Sequence, residues 1–127
     1  MLNRHEYRER IVFALYQHLL LHKDLRECFV NNIEAEDFDD FTEQILNDLE
    51  NNKNNYIDSI SQLLVKWSFD RLNLIEQAIL LQSTSELFLK LNDKPVIIDE
   101  AIRLTKMYCD EESYKYINGV LDQICKD

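Results

Sequence analysis

The most apolar stretch of the chain runs from Leu72 to Leu91 and predicts a buried helix at the centre of the fold. Its apolar residues would point to more than one side of a helix, and a helix that is apolar nearly all round is buried. Asn73 is a suitable N-cap, and Glu76 stands three residues later, as a capping box requires. Polar residues such as Gln82 interrupt the stretch, which is not typical of a membrane span. We therefore expect the remaining helices to pack around residues 73–91.

Apolar residues recur at helical spacing through the rest of the chain and predict six further helices. The polar run Asn51–Asn55 should separate the third helix, which Asp37 would cap, from the fourth. Pro95 should end the central helix, because proline restricts the residue before it, and Asp110 should cap the last helix. The predicted helices cover about residues 3–22, 25–31, 37–49, 57–67, 73–91, 99–108 and 111–124, with Ile79, Leu80 and Val120 in the core.

The composition supports an all-α fold in one domain of 127 residues. A single glycine and a single proline cannot supply the many turns of an all-β fold. Gly119 lies inside the last predicted helix at a cost of about 1 kcal/mol relative to alanine, so we expect another helix or a ligand to approach closely there. Three widely spaced cysteines argue against a disulfide framework or a zinc site and favour a reducing cytosol. The first residues show no apolar signal region, so we expect a cytoplasmic protein.

The formal net charge of −10 argues against nucleic-acid binding when it is taken alone. The charge is uneven, however, because residues 34–50 hold eight acids and no base, whereas residues 1–10 hold three arginines. The acidic run is typical of a solvated helix face and its preceding loop. Arginines in the first turns of a helix oppose its dipole. They indicate either contact with phosphate groups or a frayed, solvated N-terminus.

The sequence contains no catalytic or phosphate-binding motif, and we expect neither an enzyme nor a bound cofactor. His18 and His22 stand four residues apart, but a catalytic zinc site needs a third ligand and the HExxH pattern is absent, so we expect no metal. Tyr114, Lys115 and Tyr116 place aromatic rings beside a cation, an arrangement that can stack bases and hold phosphate on single-stranded RNA. The bland interpretation is that Tyr116 packs in the core and Lys115 is solvated.

Five sequence motifs that span most of the chain carry a resemblance to a known family. They are RERIVFALY (8–16), WSFDRL (67–72), IEQAIL (75–80), VIIDEAIRLTK (96–106) and SYKYINGVLD (113–122). Together they resemble the NusB family of transcription antitermination factors, and the last motif is the most specific of the five. Residues 23–66 match that family only in their apolar pattern.

The resemblance implies an all-α fold of about seven helices in two packed subdomains, approximately residues 1–67 and 68–127. It also implies a non-enzymatic factor that binds boxA-type RNA of nascent ribosomal RNA together with NusE, a small-subunit ribosomal protein. Such a factor would join an antitermination complex with RNA polymerase, support ribosomal RNA synthesis and have no membrane partner.

Two kinds of site are implied by the same resemblance. An RNA-binding surface would combine the N-terminal segment with a second patch at the start of the last helix, and a separate surface would bind NusE. A NusE contact would give Tyr16 a reason to be exposed on an otherwise apolar helix. By motif position, the RNA-binding residues are Arg4, His5, Arg8, Glu112, Ser113, Lys115 and Tyr116, and the NusE-binding residues are Tyr16, Asp70 and Glu76.

Two other functions stay open at this point. A helical module that binds only proteins would agree with the net charge of −10. An RNA-binding domain of the kind attached to ribosomal RNA methyltransferases would share the motifs, although 127 residues leave no room for a catalytic domain beside it.

Overall fold

The computed structural model describes residues 2–31, 39–66 and 68–124, and these ranges contain six α-helices, one 3-10 helix and no strand. The helices are α1 (Arg4–Leu21), α2 (Leu25–Val30), α3 (Asp40–Leu63), α4 (Leu74–Leu89), α5 (Lys94–Tyr108) and α6 (Ser113–Ile124), with the 3-10 helix at Phe69–Arg71. The predicted all-α fold is confirmed. None of the described helices combines the length and the apolar composition that a membrane crossing requires.

Helix α4 lies at the centre of the structure and packs against α1, α3, α5 and α6. It begins with the predicted capping box: the Asn73 side chain accepts a hydrogen bond from the Glu76 backbone, and the Glu76 side chain accepts one from the Asn73 backbone. The core predictions for Ile79, Leu80 and Val120 are confirmed, because all three are buried. One continuous core includes residues from both halves of the chain, and the division into two subdomains stays a prediction.

Helix α3 is one helix of 24 residues, so the predicted break at Asn51–Asn55 is wrong. The asparagines are held inside the helix by bonds one turn back: the Asn51 amide donates to the Asn47 carbonyl at 2.9 Å, and the Asn52 amide donates to the Asp48 carboxylate at 2.9 Å. Asp39 caps this helix by accepting a hydrogen bond from the Thr42 backbone. The predicted cap Asp37 and the predicted helical residue Trp67 lie outside the described residues.

Two predicted helix starts are also corrected. Helix α5 begins at Lys94 rather than near Asp99, because Pro95 occupies its first turn, where a missing backbone N–H costs no helical hydrogen bond. Helix α6 begins at Ser113, and Asp110 lies in the preceding turn, where its carbonyl accepts from the Ser113 backbone at 3.0 Å. The Ser113 hydroxyl bonds to Glu76 of α4, so tertiary packing helps to place this helix start.

No described helix approaches Gly119 closely, so that part of the prediction is wrong, and the alternative of a ligand at Gly119 stays a prediction. It is exposed on α6, and a Cβ built on it would meet no described heavy atom within 4 Å. The apolar residues Ile117, Val120 and Leu121 form the buried face of α6 and leave Gly119 on the outer side.

Candidate nucleic-acid and partner interfaces

The start of α1 is a structured N-terminus rather than a frayed one. Asn3 and Glu6 form a second capping box, with hydrogen bonds of 2.9 and 3.1 Å between side chain and backbone. Arg4 is exposed, and its guanidinium carbon lies 4.5 Å from the centre of the Phe41 ring of α3. Its Nη1 also donates a long hydrogen bond of 3.5 Å to the Leu91 carbonyl. Arg4 is therefore positioned by neighbouring elements but keeps a solvent-facing cation.

Arg8, one turn further along α1, is turned into the protein. Its side chain is 5% exposed, and it donates Nε to Glu86 Oε1 at 2.8 Å and Nη2 to Glu86 Oε2 at 2.6 Å. Glu86 is fully buried and also accepts from Gln82 at 2.9 Å and from Asn92 at 3.2 Å. In such a bidentate pair, two neighbouring N–H groups of the guanidinium donate to the two oxygens of one carboxylate. In this structure Arg8 holds α1 against α4 and does not present its charge to solvent.

His5 contacts α5, and the cation that it meets there, Arg103, was not among the predicted site residues. The Nδ1 atom of His5 lies 2.5 Å from Glu100 Oε2, and the guanidinium of Arg103 lies beside both groups. The Arg103 side chain is 50% exposed. The three-residue spacing of Glu100 and Arg103 could have predicted from the sequence that they pair on one face of a helix. That Arg103 lies next to His5 depends on the packing of α5 against α1.

The second predicted patch is partly exposed and partly buried. Glu112 and Lys115 are both exposed and form an ion pair of 2.8 Å, and this hydrogen bond raises the pKa of Lys115. Ser113 is buried and donates its hydroxyl hydrogen to Glu76. The Tyr116 hydroxyl is buried without a hydrogen-bond partner in the described part of the chain. Burial, reinforced by the nearby Glu76 carboxylate, raises the pKa of Tyr116.

The aromatic residue of this patch that faces a cation is Tyr114. Lys106 of α5 places its Nζ 4.8 Å from the centre of the Tyr114 ring, which is a cation–π contact between α5 and α6. Lys106 follows Arg103 by three residues, so both lie on one face of α5. Helix α5 thus connects the N-terminal cations with the second patch. We call Arg4, His5, Arg103, Lys106 and Tyr114 the basic strip.

The predicted partner residues fall in different environments. Tyr16 is 36% exposed and lines a cleft of about 450 Å³ together with Leu74, Ile75 and Tyr108. Tyr108, which follows the last buried turn of α5, is exposed. Its ring packs edge to face against Phe13 at 5.2 Å. This exposed aromatic surface between α1 and α5 surrounds Tyr16.

Asp70 and Glu76 differ in their exposure to solvent. Asp70 is exposed on the 3-10 helix. Glu76 is only 8% exposed, because its two carboxylate oxygens bind the Asn73 backbone and the Ser113 hydroxyl. A cleft of about 440 Å³ is lined by Glu76, Ser113 and Tyr116. Predicted partner and RNA residues therefore meet around this cleft.

The described residues do not form a metal site or an activated thiol. They contain no group of three histidine, cysteine, aspartate or glutamate side chains that is suited to hold a metal ion. Burial raises the pKa of Cys28, and burial together with the Glu76 charge raises the pKa of Cys109 to about 12. Both thiols are therefore protonated near neutral pH, and the thiolate is the reactive form.

Comparisons with known proteins match nearly the whole chain to proteins of one family. The profile of the NusB family matches residues 5–126. The transcription antitermination protein NusB of Macrococcus caseolyticus is 33% identical, and the match covers 99% of this chain and 98% of that protein. A solved structure of T. maritima NusB has a TM-score of 0.89 and 31% identity, with coverage of 99% of this chain and 92% of that chain. Antitermination factors NusB and NusE in complex with dsRNA provide a further match, with a TM-score of 0.82, 27% identity and coverage of 95% and 94%.

Proposed function

The chain belongs to the NusB family, and we propose that it is a transcription antitermination factor that binds boxA-type RNA of nascent ribosomal RNA together with NusE. In this proposal it joins an antitermination complex with RNA polymerase in the cytoplasm and acts by binding rather than by catalysis. The observation that carries the RNA-binding role is the basic strip, because it provides exposed cations and an aromatic ring on an otherwise acidic protein.

The basic strip supports a division of labour among the N-terminal residues. We assign phosphate contact to Arg4 and Arg103, which are exposed. His5 lies beside Arg103 and is partly exposed, so we assign it a contact with RNA next to that arginine. Arg8 would act indirectly, because its bidentate pair with Glu86 fixes the helix that carries Arg4 and His5. Cationic side chains on a surface attract phosphates even when the net charge of the protein is negative, since screening limits repulsion beyond about 8–10 Å.

The second patch would supply base stacking and a further phosphate contact. Tyr114 is partly exposed beside Lys106, and Lys115 is exposed beside Glu112. Stacking of one base on an aromatic ring contributes about 1–3 kcal/mol. Ser113 would support α6 from within through its hydrogen bond to Glu76, and Tyr116 would do so through the packing of its ring against the core, rather than by direct contact with RNA.

NusE would bind the exposed aromatic surface around Tyr16 together with the exposed carboxylate of Asp70. Tyrosine is a common anchor at protein interfaces because it combines a large rigid ring with a polar tip. The acidic composition favours a basic partner, and a basic partner would also offset repulsion between this chain and RNA. Glu76 would serve this interface indirectly by capping α4 and bonding to α6.

The RNA-binding proposal is tested by fluorescence anisotropy on a boxA-type RNA, with and without NusE, at several salt concentrations. Arg103→Ala should weaken binding and reduce the log–log salt slope by about 0.7, the value for one phosphate contact on single-stranded RNA. Lys23→Ala is the matched control, because it removes an exposed cation beyond the other end of α1. Equal losses from both variants would contradict a localised basic strip. An affinity that does not depend on salt would contradict phosphate contact altogether, and the module that binds only proteins would then be the better description.

A further inference from the structure

A cleft of about 610 Å³ lies between the end of α1, the start of α2 and the middle of α3, outside the surfaces assigned above. His18, Lys53 and the polar residues around them line it. His18 stands fourteen residues after Arg4, so along α1 the two are separated by about 21 Å at 1.5 Å per residue. The cleft is therefore remote from the N-terminal end of the basic strip.

Two contacts determine which nitrogen of His18 carries a hydrogen. Its Nδ1 lies 2.5 Å from the Lys23 carbonyl oxygen, which can only accept a hydrogen bond, so Nδ1 must be the donor. Its Nε2 lies 2.7 Å from Lys53 Nζ. Two cations would repel each other at this distance, so we take the ring as neutral: Nε2 is unprotonated and accepts a hydrogen bond that Lys53 Nζ donates. The structure thus places a basic imidazole nitrogen directly against a lysine amine.

Burial makes the neutral, nucleophilic form of Lys53 easier to reach than that of an exposed lysine. Burial lowers the pKa of Lys53, because an ammonium group loses hydration in the cleft. Lysines with a lowered pKa beside a base are the ones that proteins use as nucleophiles and that become acylated. Lys53 stays within reach of small molecules, because the cleft opens to solvent around its side chain.

We propose that Lys53 is an acyl-accepting lysine, with His18 as its base and a small uncharged thioester as the donor. The Nζ lone pair attacks the thioester carbonyl carbon, a C–N bond forms, and the C–S bond breaks to release the thiolate. His18 Nε2 takes the proton that Nζ loses and returns it to the thiolate or to water. The product is an uncharged amide on Lys53 and a free thiol.

The choice of an uncharged donor follows from the charges around the cleft. Asp24 and Glu50 both line it. Arg26 binds Glu50 at 3.0 Å and offsets its charge, whereas Asp24 caps α2 by accepting from the Glu27 backbone at 3.0 Å and keeps its own charge beside the cleft. The Asp24 carboxylate disfavours an acyl phosphate, which is anionic, and leaves an uncharged thioester unaffected.

The test is site-resolved acetylation of the full chain by S-acetyl-N-acetylcysteamine, an uncharged thioester, followed by peptide mass spectrometry at early times. General base catalysis contributes roughly 100-fold or more in organised sites, so we expect Lys53 to react at least about tenfold faster than the exposed Lys66. His18→Gln keeps a hydrogen-bond acceptor but removes the basic nitrogen, and it should bring the rate at Lys53 down to that of Lys66. His22→Asn is the control, because asparagine tolerates the left-handed backbone found at His22, and it should leave the rate unchanged.

Three results would overturn the proposal. Acetylation of Lys53 no faster than that of Lys66 would exclude a nucleophilic lysine. A fast reaction that survives His18→Gln, in a variant whose circular dichroism matches the parent protein, would exclude His18 as the base. An equal or greater preference for Lys53 with acetyl phosphate as the donor would exclude the role of the cleft carboxylates.

Discussion

Replacement of Arg8 by methionine removes one half of the buried ion pair between α1 and α4. Methionine keeps much of the volume and the flexible stem of arginine but leaves Glu86 without a cation. Glu86 is fully buried, and among the described residues it would keep the amide hydrogen bonds from Gln82 and Asn92. An uncompensated buried charge costs about 3–5 kcal/mol. This is a large part of the roughly 5–15 kcal/mol that stabilises a typical domain.

A second substitution and a surface control sharpen this prediction. Glu86→Gln added to Arg8→Met removes the buried charge and should recover part of the lost stability, because a neutral amide costs less to bury than a carboxylate. Arg103→Met is the control, since Arg103 pairs with Glu100 at 3.7 Å while half-exposed. A surface pair contributes about 0–1 kcal/mol, so the control should cost much less than Arg8→Met.

Urea denaturation followed by circular dichroism measures these differences. The urea midpoint should be highest for Arg103→Met, lower for the double variant and lowest for Arg8→Met. The dependence of the unfolding free energy on urea concentration should stay the same, because unfolding exposes the same surface in each variant. A loss from Arg8→Met no larger than that from Arg103→Met would refute a buried, desolvated pair. RNA binding of the folded Arg8→Met protein then separates two roles. A salt slope reduced by about 0.7 would indicate that Arg8 itself contacts phosphate.

Three further predictions follow from other sites. Gly119→Ala should stabilise the protein by about 1 kcal/mol in urea denaturation, because the glycine is exposed inside α6; a loss of stability would indicate an unseen contact. Because folding raises the pKa of Cys109 from 9.0 to about 12, its contribution to stability should be full below pH 9 and decline as the pH rises from 9 to about 12. Cys109→Ala should flatten this alkaline decline, and an unchanged melting profile against pH would contradict it. Glu76→Gln should weaken NusE binding in calorimetry less than Asp70→Asn does, since Glu76 is buried and Asp70 exposed; the reverse order would place Glu76 at the interface.

The central helix could be predicted from the sequence because its signals are local. An N-cap and its partner stand three residues apart, as in Asn73 and Glu76, and an apolar wrap identifies a buried helix without knowledge of its neighbours. The same local reasoning failed at Asn51–Asn55, where asparagine is a weak helix breaker and bonds one turn back kept α3 continuous. It failed again at Gly119, because composition shows that a glycine is present but not whether another element approaches it.

Family membership also rested on the sequence, since the motifs stand in order along the chain and the family profile matches residues 5–126. The state of each proposed site residue depended instead on partners far away in sequence. Glu86, which buries Arg8, is 78 residues distant, and Arg103, which extends the surface beside His5, is 98 residues distant. Side-chain charge is a property of the sequence, but its availability to a ligand depends on which other groups solvate it. Only the tertiary structure brings those groups together and so decides which cations of this acidic chain remain free to meet a phosphate.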